Sequence, residues 1–598
     1  MSVTPAAQAR ALAPRPIARW LRRFAPGALL CALACAGYLR TGPAPFVWDD
    51  LPHIVDNPRI ARPVAAWDWL QAGTQETRPL LNLSFAVSRA VFGLEPGGWR
   101  ATNVALHTLC AWLLWRVLRR RMPALLPDHG GGAHALAAWL GAAWFAVHPL
   151  ATEAVTYINS RSVLMASAAM LAAWLQLERR RAGVASGAAW SGAVAPLLLG
   201  VALLAKEMAV MLPLLIAWCD GWAPLTASAA ALGSSAAPLS PAPPASAELA
   251  AEAPTSRRGE FGRTLWRRLW RCLWRRDVRG LLPALLVVPA LFLALRSPHT
   301  AHIGAAVGSP VDAALAQPAI LLRLLALAVL PIGQSLDHDA RLFAWDVDDA
   351  LRLGLSLGFW ALCLGLAWRL RQRFPAAIVG VGGLLLAMAP TNSLVPFFDA
   401  MCERHLYPGL WMAAFGVGPC LGALSGWVGV RMGRSGLAVV PAAALLTALL
   451  GATLARNELW RDPVALWLDA AEKSPDKARP AGQLGATLAG AGWLEAAQPA
   501  LERAVRLEPH VLVWRQNLGL LYRLRGAPER EIALWEARVA EAPADLAAAR
   551  ALRTLRGAPG RPPRPAADPG EARPAAGLAS PPGGAVDRSG MSGQGAAP

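Results

Sequence analysis

Residues 134–177 read HALAAWLGAAWFAVHPLATEAVTYINSRSVLMASAAMLAAWLQL. Two apolar runs, 134–149 and 160–177, flank a polar joint that carries His148, Glu153 and Arg161. Each run approaches the roughly 20 residues with which an α-helix crosses a bilayer. Comparable runs recur on both sides, at 24–40, 100–118, 187–205, 207–220, 281–296, 317–333, 351–368, 375–390, 406–428 and 436–455, which predicts 10 to 12 spans. Composition agrees: of 598 residues, 55% are hydrophobic and only 16% charged, against about 25% charged in soluble proteins. Mean hydropathy is +0.35. One large soluble enzyme, a disordered chain, a collagen and a disulfide scaffold are all excluded. The expectation is an all-α, polytopic membrane protein.

The 58 Lys+Arg exceed the 39 Asp+Glu by a net charge of +19, which alone would suggest nucleic acid or anionic lipid as a partner. Placed along the chain, the charges serve another purpose. Basic clusters lie before residue 24, at 116–121, 179–181, 257–279, 369–373 and 431–434. The positive-inside rule sets these in the cytoplasm, which puts 41–99, 150–159, the 205–207 junction, 391–405 and everything after 456 outside. Between the 257–279 cluster and Arg369 three runs occur where an even number is needed, so one is expected to be re-entrant or to lie along the surface. Arg22 and Arg23 before the first run could belong to a cleaved signal peptide, but the many later spans favour an uncleaved anchor. Nucleic acid is not expected as a partner; membrane lipid is. Lysine occurs only at 206, 473 and 477, and this Arg-, Ala-, Gly- and Pro-rich usage matches a GC-rich bacterium, hence an inner-membrane location.

The chain divides into a cytoplasmic N-terminus (1–23), a membrane domain (24–455), a repeat region (456–550) and a disordered tail (551–598). Residues 223–279 form a cytoplasmic insert. Its Ala/Pro/Ser-rich part, 223–256, reads as a disordered linker. The Trp/Arg-interleaved part around Trp266 and Trp270 reads as an interfacial helix on anionic lipid. In the repeat region Pro475, Pro509 and Pro543 lie 34 residues apart, Leu484-Gly485 matches Leu518-Gly519, and Gly492 matches Gly526. This is the tetratricopeptide period, giving two units, 476–509 and 510–543, expected to stack on the membrane domain.

In so apolar a chain, charges beside the membrane are the informative residues. Asp49 and Asp50 follow the first span, where a carboxylate could act as a general base or help to hold a divalent cation; a solvated turn is the plainer reading. Arg78 precedes Pro79. His107 stands in an apolar helix, where a packed, hydrogen-bonded histidine is the commoner case. His148 ends one span and Arg161 begins the next, with Glu153 between them. Arg161 at a helix start opposes the macrodipole, a conflict that an anion would relieve. Lys206-Glu207 separates two apolar segments, and Glu403-Arg404 opens another. Three cations, Arg161, Lys206 and Arg404, thus gather on the outer face with carboxylates, which points to a phosphate-bearing ligand. The eight cysteines show no zinc spacing.

The motifs Trp48-Asp49-Asp50…Asn57-Pro58, Arg78-Pro79-Leu80…Ser84-Phe85, Asn103-Val104…Leu106-His107, His148-Pro149…Glu153-Ala154-Val155…Arg161, Ala205-Lys206-Glu207 and Asn392…Glu403-Arg404…Leu406-Tyr407 occur in this order. With the repeats, the chain resembles the transmembrane and tetratricopeptide-repeat (TMTC-like) O-mannosyltransferases and their bacterial relatives, of the GT-C glycosyltransferase class, over about 24–545. The resemblance implies a GT-C membrane domain and a polyprenyl-phosphate sugar donor, mannose in the eukaryotic members. It implies an active site at the outer face and a protein or glycan acceptor, which the repeats could bind. By motif, Asp49 and Asp50 become the catalytic carboxylates. Arg161, Lys206 and Arg404 are assigned to the donor phosphate on charge and position, with Arg78, His107, His148, Glu153, Glu207 and Glu403 in support. Only two clear repeats are present, and 299–349 matches the family poorly. A non-catalytic membrane scaffold whose repeats recruit envelope proteins is the alternative. A transporter would instead gather its polar groups at midplane.

Overall fold

The computed structural model describes residues 16–58, 60, 78–184, 192–233, 258–286, 309–392 and 399–557. The described residues are helical and contain no strand. The membrane part comprises α1 (Pro16–Ala36), α2 (Pro79–Phe92), α3 (Pro96–Leu125), α4 (Gly131–Ala146), α5 (Arg161–Arg181), α6 (Val194–Ala205), α7 (Leu212–Gly233), α8 (Arg258–Leu273), α9 (Pro310–Val329), α10 (Val347–Leu370), α11 (Pro375–Met388), α12 (Tyr407–Arg431) and α13 (Val440–Leu459). Then follow α14 (Pro463–Lys473), α15 (Ala478–Gly490), α16 (Leu494–Leu507), α17 (Leu512–Leu524), α18 (Pro528–Glu541) and α19 (Leu546–Gly557).

Five described helices are long and apolar enough to cross a membrane, six if the pair bent by 52° at His148-Pro149 counts as one span; four more are apolar but shorter. The molecule is an all-α, multi-pass membrane protein. Polar residues interrupt several of the expected runs: α6 stops at Lys206, and α4 ends before His148, whose following proline disfavours helical backbone. Helix α2, inside the loop expected at 41–99, was not anticipated. The run at 281–296 and the linker at 234–256 lie wholly or partly outside the described residues. Helix α7 runs to Gly233 and α19 to Gly557, beyond the expected starts of the linker at 223 and of the tail at 551.

The core of the bundle is α3, α4, α5 and α12. Helices α4 and α12 approach until a Cβ at Gly418 would stand 2.1 Å from the Ala137 carbonyl oxygen, so only glycine fits; small residues serve this purpose between membrane helices. Helix α5 lies mostly inside the bundle, whereas α10 keeps only 6% of its apolar window buried. Its Leu351, Leu355, Leu362 and Leu364 are exposed, as expected of a helix facing lipid.

Helix α5 joins two ends of different character. At its C-terminus the basic clusters of α3, α5 and the segment after α8 meet three acids: Arg121 and Arg181 share Glu178 and Asp220, and Arg181 also reaches Asp277 at 2.5 Å. At its N-terminus lie the loops with the candidate site residues.

Beyond α13 the helices pack in chain order, α14 on α15, α15 on α16, and so on to α19. Gly492 and Gly526 occupy equivalent turns with φ of 84° and 73°, where an L side chain would be strained. Trp467, Leu501 and Trp535, at the same 34-residue step, are each buried.

Candidate active site

The first loop is shaped by a buried arginine that sequence reasoning passed over. Arg100, on α3, donates to the carbonyls of Ala44, Pro45 and Thr156, tying the chain before Asp49 to the joint after Glu153. The next turn places Trp48 at φ 51°, a left-handed conformation that costs a bulky residue ~1–3 kcal/mol. Its surroundings hold it there. The indole stacks on Tyr157 at 5.8 Å and meets Trp467 edge-on at 5.7 Å, within a small core that includes Val47, Leu336, Trp460 and Leu466.

The adjacent aspartates then differ. Asp50 is fully buried, and its two oxygens accept from the backbone N–H groups of Val47 (3.2 Å) and Asn159 (2.8 Å). Burial pushes its carboxyl up to about 7, against the pull of Arg100 and those two donors. Asp49 is 8% exposed, and its Oδ1 is buried with no hydrogen-bond partner among the described residues. Burial raises Asp49 above the usual carboxylate range, opposed by His53, Arg404 and the nearby Tyr157 hydroxyl. Asp50 is thus occupied by the fold, and Asp49 carries the available oxygen.

Both oxygens of Asp50 already serve backbone donors, and no group of three or more His, Cys, Asp or Glu among the described residues is placed to hold a metal ion.

Arg404 forms the centre. Its Nη1 meets Glu153 at 2.8 Å, its Nη2 meets Asp399 at 3.3 Å, and its own backbone N–H donates to Glu153. Its guanidinium lies 5.8 Å from the Trp48 ring and 5.9 Å from Tyr157. Although burial alone would raise Asp399, Arg479 and Arg404 hold its carboxyl well below the usual range. Glu403 turns the other way. It accepts from Gln334, from the Ser335 N–H and pairs with His338 at 2.8 Å, so it orders the 334–338 loop rather than facing a ligand.

Lys206 sits where α6 ends, in extended backbone, and is 3% exposed. Arg78 takes Glu207 at 3.2 Å. The Lys206 ammonium lies in the field of Arg78, Glu207 and Arg404, yet makes no hydrogen bond or salt bridge among the described residues. A buried cation without a bonded partner is costly and is a common mark of a ligand site.

Three expected site residues are used by the fold instead. Arg161, assigned to the donor phosphate, is fully buried and donates to Asn103, Ser88, Ser84 and the Trp99 carbonyl while lying on the Phe85 and Trp99 rings. The fold thus engages all three nitrogens of this guanidinium, in place of the expected phosphate contact. His107 bridges Tyr407 and the Ala146 carbonyl. His148 contacts the Ala328 carbonyl and accepts from the Leu150 N–H. These two histidines hold backbone together at the helix bend. The residues missed by sequence reasoning are Arg100, Asp337, His338, Asp399 and Arg479; only Asp399 offered a signal, as an acid in the outer loop five residues before Arg404.

Comparison with known proteins gives one consistent result. The chain is 32% identical over 206 residues to the protein O-mannosyl-transferase Tmtc1 of Drosophila melanogaster, covering 32% of this chain and 22% of that one. It is 28% identical over 197 residues to human TMTC1, covering 31% and 21%, and 34% identical over 148 residues to mouse TMTC2, covering 23% and 16%. The matches thus span about a fifth of the length of these relatives. No family model matches, and no solved structure matches. The chain is similar, over about a third of its own length, to polypeptides named protein O-mannosyl-transferases.

Proposed function

We propose that the protein is a membrane glycosyltransferase of GT-C type, moving a mannose-like sugar from a polyprenyl-phosphate donor to a hydroxyl of a protein or glycan at the outer face. The observation that carries this reading is the buried oxygen of Asp49, unpartnered among the described residues and in the field of Arg404. Such a carboxylate can take the proton of an acceptor hydroxyl. The hydroxyl oxygen then forms a bond to the anomeric carbon as the bond from that carbon to the phosphate oxygen breaks, and the configuration inverts. The electron pair leaves with the polyprenyl phosphate, whose charge Lys206 and Arg404 balance; fixed cations at the developing charge are an effective source of rate. Asp50 holds the loop, and Arg161 holds the joint at 155–161. The names of the relatives support sugar transfer as the chemistry and a protein as the acceptor.

The test uses the purified full chain in lipid nanodiscs with polyprenyl-phosphate mannose and a panel of Ser/Thr peptides and glycans. The reading expects a product heavier by one hexose, with release of polyprenyl phosphate. Donor left intact with every acceptor would refute it.

A further inference from the structure

The helix that opens the repeat region reaches back into the candidate site. Arg479, the second residue of α15, is 4% exposed and joins two loops. Its Nε and Nη2 meet Asp337 at 2.5 and 2.6 Å, and Nη2 also meets Asp399 at 2.5 Å. The other oxygen of Asp399 holds Arg404. The Arg479 guanidinium also lies 5.0 Å from the Trp48 ring, next to Asp49. It therefore touches both the partner of the central cation and the strained residue that precedes the free carboxylate.

Neighbouring cations at the junction of α14 and α15 dock the repeat region without reaching so far. Lys477 pairs with Asp337 at 2.5 Å, and Lys473 donates to the Gln334 carbonyl at 2.7 Å. Farther along, Arg515 pairs with Glu541, Arg523 with Glu531 and Arg538 with Asp545, all within the repeat region. Among these arginines and lysines, only Arg479 contacts both Asp399 and Trp48. A planar fork can meet two carboxylates and cover a ring face together, whereas an ammonium meets them as a point charge.

We infer that Arg479 is a positioning residue for the transfer reaction. From the first repeat helix it fixes Asp399, and through it Arg404, while pinning Trp48 so that the Asp49 carboxylate keeps its place. The repeat region is then part of the catalytic apparatus as well as a surface beside it. The inference rests on the function proposed above.

The experiment compares wild type, Arg479→Ala, Arg479→Lys and Arg515→Ala in full-length protein, reading kcat, acceptor KM and melting temperature. Misplaced catalytic groups lose about 100-fold in rate. Arg479→Ala is expected to lose about that in kcat, with acceptor KM within about threefold, and Arg479→Lys to regain about tenfold of it. Arg515→Ala, which loosens the second hairpin, should lower the melting temperature and leave kcat within about threefold. Wild-type kcat in Arg479→Ala would overturn the inference alone, as would equal kcat losses in Arg479→Ala and Arg515→Ala at equal melting temperature. If wild type transfers no sugar, the proposed function fails and the inference falls with it.

Discussion

At the C-terminal end of α5, Arg121 and Arg181 contact Glu178, Asp220 and Asp277 at distances from 2.5 to 3.3 Å, and each of these acids has a cationic partner. At the N-terminal end, Asp49, Glu153, Asp399, Arg404 and Lys206 are just as buried. There the pairing among the described residues is incomplete: Asp49 keeps an oxygen without a donor, and Lys206 makes no bond with an acid. Both clusters carry the expense of buried charge. The first pairs each acid internally, as a helix-to-helix clamp does, although Arg121 Nε has no partner among the described residues. The second leaves a base and a cation unused, which is what a ligand bearing a hydroxyl and a phosphate would need. Burial and charge are similar in the two places, so charge left without a salt bridge distinguishes site from scaffold.

The comparison can be broken at either end. Asp220→Ala removes an acid shared by Arg121 and Arg181 and should destabilise the fold by about 3–5 kcal/mol, as breaking a buried pair does. Sugar transfer per folded molecule should stay within about threefold, since no site group is touched; melting and specific activity measured on the same sample check this. Lys206→Met should do the opposite. Transfer falls about 100-fold with the loss of a cation at the leaving phosphate, while the melting temperature holds or rises because a bare buried charge has gone. A Lys206→Met protein that unfolds like Asp220→Ala would erase the distinction.

Acidity offers a finer probe. The base must be ionised to act, so protonation of Asp49 removes activity. Because burial raises its carboxyl, the acid limb of kcat/KM should lie above the ordinary aspartate value of about 3.9, and Asp50→Asn should leave that limb where it is. Asp50 acts on stability instead. Its folded carboxyl, pushed up to about 7, holds its proton more tightly than the unfolded one. Stability therefore declines as pH rises from the ordinary aspartate range through about 7, and melting curves of Asp50→Asn should lack this decline.

Much of the fold was legible because apolar length is a local property. The hydrophobic runs gave the helices, and the 34-residue step gave the hairpins that follow α13. The span count was less legible, since a run says little about where a Lys206 or a His148-Pro149 will break it. Within the site, Asp49, Asp50, Glu153 and Arg404 were visible as charges beside apolar runs. Arg161 shared that position but points inward, because Asn103, Ser88 and Trp99 on other helices claim its donors. Arg479 was hidden for a related reason: its partners Asp337 and Asp399 lie 142 and 80 residues away, and only the packed chain brings them together.

The difference between the two aspartates is decided by measuring kcat for sugar transfer in Asp49→Asn and Asp50→Asn, side by side with wild type, at matched folded concentration. Asp49→Asn should lose about 1,000-fold, within the range for a missing general base, and melt like wild type. Asp50→Asn should retain most of its kcat. Wild-type turnover in Asp49→Asn, or the loss falling on Asp50→Asn instead, would contradict the assignment of the free carboxylate as the base.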